Sequence, residues 1–129
     1  MVEFAIVGGL ILAPLVVGIL EFGLAAWQKN SVASDAREGA RYAVVHGSTS
    51  GRTATPDSVS KYIKSKSSLD TAGLRIYTVW PTPPTPGGSN PNKDPGAEVD
   101  VSVAHNVPRR GLFIRAHTDS ATTKMVILF

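Results

Sequence analysis

The sequence predicts an α+β protein in which a long N-terminal helix packs on a small antiparallel sheet, with one extra short helix. Three observations support this fold class. Residues 1–27 are almost entirely apolar, residues 30–46 keep helical spacing, and residues 74–129 contain runs of alternating apolar and polar residues that are typical of strands. The length of 129 residues is that of a single small domain.

The apolar segment, residues 1–29, is predicted to be a transmembrane or filament-core helix. Only Glu3 and Glu21 interrupt it with charge before Lys29, and the run between the two glutamates would be roughly 25 Å long as a helix. A signal peptide is disfavoured because no basic residue precedes the run and because the run is too long. A buried central helix is disfavoured because so small a domain has little core to enclose it. The missing basic residues also favour a chain from which a leader has been removed.

Small residues in this helix favour association with other helices. Ala5, Gly9 and Ala13 are spaced by four residues, a stripe that lets two helices approach closely, and Gly18 adds a further small position. Gly and Ala are also common in membrane helices in general, and that alternative stays open. Pro14 removes a backbone hydrogen bond and is expected to kink or locally melt the helix.

The two glutamates should lie on one face of the helix, because they are eighteen positions apart, which is about five turns. A carboxylate is costly in lipid unless it lies at an interface or finds a partner. For Glu3 an obvious partner is a free α-amino group on the same or a neighbouring chain. Negative charge in the first turn also suits the helix dipole.

The helix is expected to continue through residues 30–46, where apolar residues recur at helical spacing from Val32 to Val44. Gly47 is a suitable C-terminal stop. Gly39 should weaken the helix by about 1 kcal/mol relative to Ala, which suggests a close contact at that position. The predicted interface between this helix and the rest of the head comprises Ala36, Gly39, Ala40 and Tyr42.

Three motifs in the first third of the chain together resemble the TadE-like pseudopilins of tight-adherence (Tad) pili. They are VEFAIV at residues 2–7, GILEFG at residues 18–23 after Pro14, and AREGARYAV at residues 36–44. The resemblance implies a type IV pilin-like precursor that a prepilin peptidase cleaves just before the apolar helix. It also implies either polymerisation through that helix or a minor role in supporting the pilus.

The resemblance assigns a role to the N-terminal residues. Glu3 matches the glutamate near the mature N-terminus that guides subunit addition. Families of this kind usually have a few more residues between the cleavage point and that glutamate. Either Met1 is the mature start, or a residue or two is missing or replaced.

The rest of the head is predicted to contain a short helix at residues 56–68 and a three-stranded antiparallel sheet within residues 74–129. Thr55 and Pro56 suit the N-cap and first position of the helix. Strands are expected at residues 74–80, 97–104 and 118–129, with a loop at residues 105–110. The proline-rich residues 81–95 should form an extended, solvated and mobile loop. A plain linker is the favoured interpretation, and a loop whose Ser and Thr accept O-glycans is the alternative.

The sequence predicts no enzyme, no metal site and no cofactor. Cysteine is absent, the glycines form no phosphate-binding loop, and the three histidines have no ligand spacing. His46, His105 and His117 are therefore expected to be caps or surface residues. The formal net charge of +3 is too small an excess to indicate nucleic-acid binding.

Three functions remain after these exclusions. The favoured one is a structural pilin that polymerises into a Tad surface filament for adhesion, lying in the inner (cytoplasmic) membrane before assembly and in the extracellular pilus afterwards. Its expected partners are further copies of the chain, a prepilin peptidase and the assembly machinery in the membrane. The alternatives are a membrane-anchored minor pseudopilin and a binding module on a membrane tether. The predicted assembly residues are Met1, Glu3 and Phe4, and the predicted helix-packing residues are Ala5, Gly9, Ala13, Pro14, Gly18 and Glu21.

Overall fold

The computed structural model describes residues 2–83, 86, 91–108, 113 and 115–128. Two helices, α1 and α2, and three strands, β1 to β3, form an α+β fold, which confirms the predicted class. The strands make one antiparallel sheet in the order β1-β2-β3. The elements are α1 (Val2–Val45), α2 (Pro56–Lys66), a 3-10 turn (Thr71–Gly73), β1 (Leu74–Val79), β2 (Glu98–Val107) and β3 (His117–Val126).

Helix α1 runs without a break over 44 residues and includes Pro14. The expectation of local melting at Pro14 is therefore wrong. A proline inside a helix removes one backbone hydrogen bond, whereas each neighbouring residue adds one, and helix propagation is cooperative. The apolar residues on both sides of Pro14 are sufficient to hold the helical conformation.

Helix α2 begins at a complete capping box. The Ser58 amide donates to Thr55 Oγ1 at 3.1 Å, and the Thr55 amide donates to Ser58 Oγ at 2.9 Å. The helix ends at Lys66, two residues before the predicted end, because Ser67 turns to an extended conformation with φ −61° and ψ 138°. In that conformation the Ser67 hydroxyl donates to Asp35 of α1 at 2.6 Å, so a tertiary contact ends the helix.

Strand β2 is longer than predicted and extends to Val107. The prediction of a loop at residues 105–110 is therefore wrong for residues 105–107, which belong to the strand. His105 pairs with Asp119, and Val107 pairs with His117, so β3 gives the end of β2 a partner that local sequence does not reveal.

Strand β3 ends at Val126, earlier than predicted, and Phe129 lies outside the described residues. Ile127 nevertheless stays fixed against the start of β2, because its amide donates to the Ala97 carbonyl at 2.8 Å and its carbonyl accepts from the Gly96 amide at 2.9 Å. Ile127 is only 1% exposed, so the chain after β3 still contributes to the core.

The core lies between the second half of α1, helix α2 and one face of the sheet. Val32, Ala36, Ala40 and Val44 of α1 are all buried, as their spacing predicted. The inward-facing residues of β2 include Val99, Val101 and Val103, each 0% exposed. This half of the helix is therefore part of the head, and the first half is not.

A candidate membrane and assembly helix

The first half of α1 extends away from the head, and most of its side chains are exposed. No residue of its most apolar 18-residue window is buried. Among the described residues, α1 is a helix that is long enough and apolar enough to cross a membrane. Phe4 is 89% exposed, Leu10 77% and Phe22 76%. Gln28 is the first buried residue of the helix. A helix buried in a soluble core, one of the alternatives left by the sequence, does not fit these exposures.

The accessible surface gives the size of the uncovered region. A compact monomer of 13.6 kDa is expected to expose roughly 6,600 Å². The chain exposes 8575 Å², about 2,000 Å² more than that expectation. This excess is comparable with the total area buried in a standard protein–protein interface, so the helix has ample surface for lipid or for other helices.

Two of the three predicted assembly residues, Glu3 and Phe4, lie in the first turns of the helix. Glu3 and Phe4 line a shallow depression together with Val7. Met1 lies outside the described residues. Glu3 is in the first helical turn, where a carboxylate interacts favourably with the helix dipole.

Most of the predicted helix-packing residues are uncovered by the residues that the structure describes. Ala5, Gly9, Ala13 and Pro14 are exposed, and Gly18 is half-buried. A Cβ atom built on Gly9 or Gly18 would meet no heavy atom within 4 Å, and the same holds for Gly8 and Gly23.

Glu21, also predicted as a packing residue, makes a contact with the far end of the chain. The Phe113 amide donates to Glu21 Oε2 at 2.9 Å, across 92 positions of sequence. Phe113 is 57% exposed. Phe113 therefore contacts the apolar helix about two turns below the first buried residue, Gln28.

The interface between α1 and the rest of the head includes the four residues that the sequence singled out. Ala36 and Ala40 are 0% exposed, and Gly39 is buried. A Cβ on Gly39 would lie 2.9 Å from Ile63 Cγ1 and 3.2 Å from Val101 Cγ1. Real Cβ atoms rarely come that close, so Gly39 allows α1 to approach α2 and the sheet.

Tyr42 lies at the edge of the same interface, in a stack of three rings. Its ring centroid is 4.2 Å from that of His46 and 4.4 Å from that of Tyr62. The Tyr62 hydroxyl donates to Glu38 at 2.8 Å, and this hydrogen bond raises the pKa of Tyr62. The stack fixes the last turn of α1 against α2.

A buried polar cluster, which sequence reasoning missed, lies at the base of the head. His105 is only 5% exposed, so its prediction as a cap or surface residue is wrong. Burial raises the pKa of the Asp35 carboxyl above its ordinary value of 3.8, while the hydrogen bond from Ser67 and the charge of His105 oppose the rise. The signal was present in β2, because the alternation of Val99, Val101 and Val103 continues to position 105.

The prediction of a solvated proline-rich loop is wrong at Asn92, which packs on the head, whereas Pro81, Pro83, Pro91 and Pro95 are exposed. Asn92 is 3% exposed, and its side-chain amide donates to the Pro83 carbonyl at 2.9 Å. Lys93 Nζ lies 4.7 Å from the centroid of the Trp80 ring, and burial lowers the pKa of Lys93. Residues 84, 85 and 87–90 of this loop lie outside the described residues.

Metal-ligating side chains do not converge in the part of the chain that the structure describes. Within it, no group of three His, Asp or Glu residues could hold a metal ion. One acidic–histidine contact is the pair formed by His117 Nε2 and Asp119 Oδ2, 3.3 Å apart on β3.

The fold and the exposed helix define a small α+β head on a single helix that is able to span a membrane. The family model described as TadE-like protein matches residues 1–41. This match confirms the resemblance seen in the sequence, over the segment in which it was seen. Searches of curated proteins and of solved structures each gave no match.

The family match and the apolar helix fit a pilin-like component of a Tad system. The family is structural and pilin-related and is not known for enzymes, so the match implies a pilus-assembly context. The helix and the family together also suggest membrane anchoring.

Proposed function

We propose that this chain is a structural pilin subunit that polymerises through the first half of α1 into a Tad surface filament. The observation that supports this most is the division of one continuous helix into two halves. The half from Gln28 onward lies in the core of the head, and the half before it touches little else in the chain. An element of this kind needs a partner outside its own fold.

The energy of the exposed surface requires that it be covered. About 2,000 Å² of excess surface at about 25 cal/mol per Å² is on the order of 50 kcal/mol if all of it were apolar and removed from water. Lipid supplies this cover before assembly, and neighbouring helices supply it in the filament. The inner membrane is thus the site of the subunit before polymerisation, and the prepilin peptidase and assembly machinery act there.

The helical glycines favour helix–helix packing over simple anchoring. Each glycine in a helix costs about 1 kcal/mol relative to Ala. Gly39 has a reason within the head, because Ile63 and Val101 occupy the space that a Cβ would need. Gly9 has no such reason within the chain, whereas a close approach by a second helix would supply one.

Glu3 is proposed to position each incoming subunit by pairing with an N-terminal amine in the filament. A buried carboxylate without a partner is strongly destabilising, so the pairing would select one axial register. The decisive test is Glu3→Ala, with Glu98→Ala as a matched control because Glu98 is an exposed carboxylate of the head. Cells that express each variant are sheared, and the released fibres are counted by electron microscopy.

We expect Glu3→Ala to abolish or greatly reduce fibres while the variant still accumulates in the membrane, and Glu98→Ala to give normal fibres. Normal fibres from Glu3→Ala would refute the role of Glu3. If the unmodified chain is found only in the membrane while fibres made of another protein form, the minor-pseudopilin alternative replaces the main-subunit proposal.

A further inference from the structure

The contact between Glu21 and Phe113 indicates which part of α1 lies within the hydrocarbon core of a membrane. Val2 and Glu21 are nineteen residues apart on α1, which corresponds to about 29 Å of helix. That length matches a hydrocarbon core of about 30 Å. A second register, shifted to include Phe22 to Trp27, would place the Glu21 carboxylate inside the hydrocarbon.

The structure favours the first register. The Phe113 amide that donates to Glu21 at 2.9 Å belongs to a residue in a bend, outside helix and strand. Irregular backbone exposed to lipid does not occur within the hydrocarbon region, because its polar groups would lose their hydrogen bonds to water. The contact therefore belongs at the boundary between hydrocarbon and headgroups, where Glu21 also avoids the cost of burial in lipid.

Residues that follow Glu21 and Phe113 in the sequence suit the headgroup layer. Phe113 is 57% exposed and Trp27 is 47% exposed, and aromatic residues are enriched at membrane interfaces. Lys29 and Arg115 are exposed as well, and both complement anionic lipid headgroups. The stretch of α1 from Glu21 to Gln28 rises about 10 Å, which exceeds the roughly 5–8 Å of the headgroup layer on one side of a bilayer. Trp27 and Lys29 therefore lie at or just beyond the outer edge of that layer.

We propose that the base of the head, at Phe113 and Arg115, is a membrane-docking surface that enters the headgroup layer before assembly, with Trp27 and Lys29 of α1 at the outer edge of that layer. The hydrogen bond to Glu21 holds Phe113 at that depth. The occupant of this surface is the bilayer itself. This inference rests on the membrane-anchored stage of the proposed function but not on polymerisation.

Site-directed spin labelling tests this surface, and the absence of cysteine from the chain makes single-cysteine variants direct to prepare. The full chain would carry a nitroxide at Phe113→Cys, at Leu12→Cys in the middle of the apolar segment, or at Val79→Cys. Val79 is a matched control because it is 56% exposed. It pairs with Asp100, roughly 20 Å along β2 from Asn106 at the base of the head. Each variant is placed in vesicles of phosphatidylcholine and phosphatidylglycerol, and collisions with oxygen and with a water-soluble nickel chelate are measured.

The label at position 113 should show a several-fold loss of nickel-chelate access relative to the label at position 79, and the label at position 12 should be the most protected. Equal access at positions 113 and 79, with position 12 protected, would overturn the docking surface and leave membrane insertion standing. Exposure of position 12 as well would overturn both.

The role of Glu21 is tested in the same assay with the label at position 113. Glu21→Gln keeps an oxygen that accepts the Phe113 amide, whereas Glu21→Leu removes it. We expect Glu21→Gln to leave the protection at position 113 intact and Glu21→Leu to raise chelate access towards the level at position 79. Unchanged protection in Glu21→Leu would overturn the role of this hydrogen bond.

Discussion

The close approach of α1 to α2 at Gly39 leads to a prediction that can be worked out in magnitude. A Cβ added at Gly39 would meet the side chain of Ile63, including a Cγ1 contact of 2.9 Å, and Val101 Cγ1 at 3.2 Å. Ile63 is 1% exposed and Val101 is 0% exposed, so the core encloses both side chains. Gly39→Ala must therefore displace α2 or force Ile63 out of its rotamer.

Two opposing terms set the size of the effect. Overpacking a core typically costs about 1–3 kcal/mol, and replacing Gly by Ala in a helix returns about 1 kcal/mol. We expect Gly39→Ala to lower the free energy of unfolding of the head by about 0–2 kcal/mol. Gly23→Ala is the matched control, because no atom lies within 4 Å of a Cβ at that position, and it should cause no loss.

The range for the single variant includes zero, so a double-mutant cycle gives the sharper result. Ile63→Val removes the Cδ1 methyl that lies closest to the added Cβ and alone should cost about 0.5–1.5 kcal/mol. Combined with Gly39→Ala, the two changes should compensate, because the space vacated by the methyl accepts the new Cβ. The double variant should be more stable than the sum of the single effects predicts, by about 1–2 kcal/mol.

Equilibrium unfolding of the full chain in detergent, followed by near-UV circular dichroism of the buried Trp80 and the tyrosine stack, measures all four proteins of the cycle. A coupling of zero, with Gly39→Ala as harmless as Gly23→Ala, would refute the argument that Gly39 exists to allow this contact.

Three further predictions concern other parts of the chain. Burial raises the folded-state pKa of Asp35 above 3.8. The protonated carboxyl therefore stabilises the folded chain at low pH, and this contribution to the free energy of unfolding is lost as pH rises through the folded-state pKa. Asp35→Asn, which keeps an acceptor oxygen, should be more stable than the unmodified chain above that window and should flatten this part of the curve of urea midpoint against pH. An unchanged curve would contradict the burial argument. Thr55→Ala removes one half of the capping box and should cost about 1 kcal/mol in urea unfolding; no loss would mean that the cap does not limit stability. Gly9→Leu should reduce sheared fibres more than Gly8→Leu, since only Gly9 lies on the stripe of small residues, and equal effects in the fibre count would reject that stripe as the packing face.

Periodic elements of the fold were predictable because their pattern is local. The spacing of Val32, Ala36, Ala40 and Val44 identified the buried face of α1. The cost of a glycine at position 39 indicated a close contact, although the sequence could not identify Ile63 as its partner. Such elements follow from which residue types recur at fixed intervals, and that pattern can be read from one segment of the sequence alone.

Contacts between distant segments were not predictable in the same way. The last residues of β2, His105 to Val107, resembled a loop because of Asn106 and the following Pro108. Pairing of His105 with Leu74 of β1 and of all three residues with β3 makes them a strand. The partner of Glu21 is 92 positions away, and the end of α2 depends on Asp35, which is 32 positions from Ser67. Such contacts depend on how the elements pack, which the local pattern does not specify.

Labelling the head along intact fibres tests the central proposal most directly. Val79→Cys places a single thiol on an exposed position of the head, and biotinylation followed by gold-conjugated streptavidin makes it visible by electron microscopy of sheared cell-surface material. The proposal predicts gold at regular density along the whole length of each fibre. Fibres without label along their length, with the chain confined to the membrane fraction or to fibre tips, would contradict the proposal that this chain is the main filament subunit.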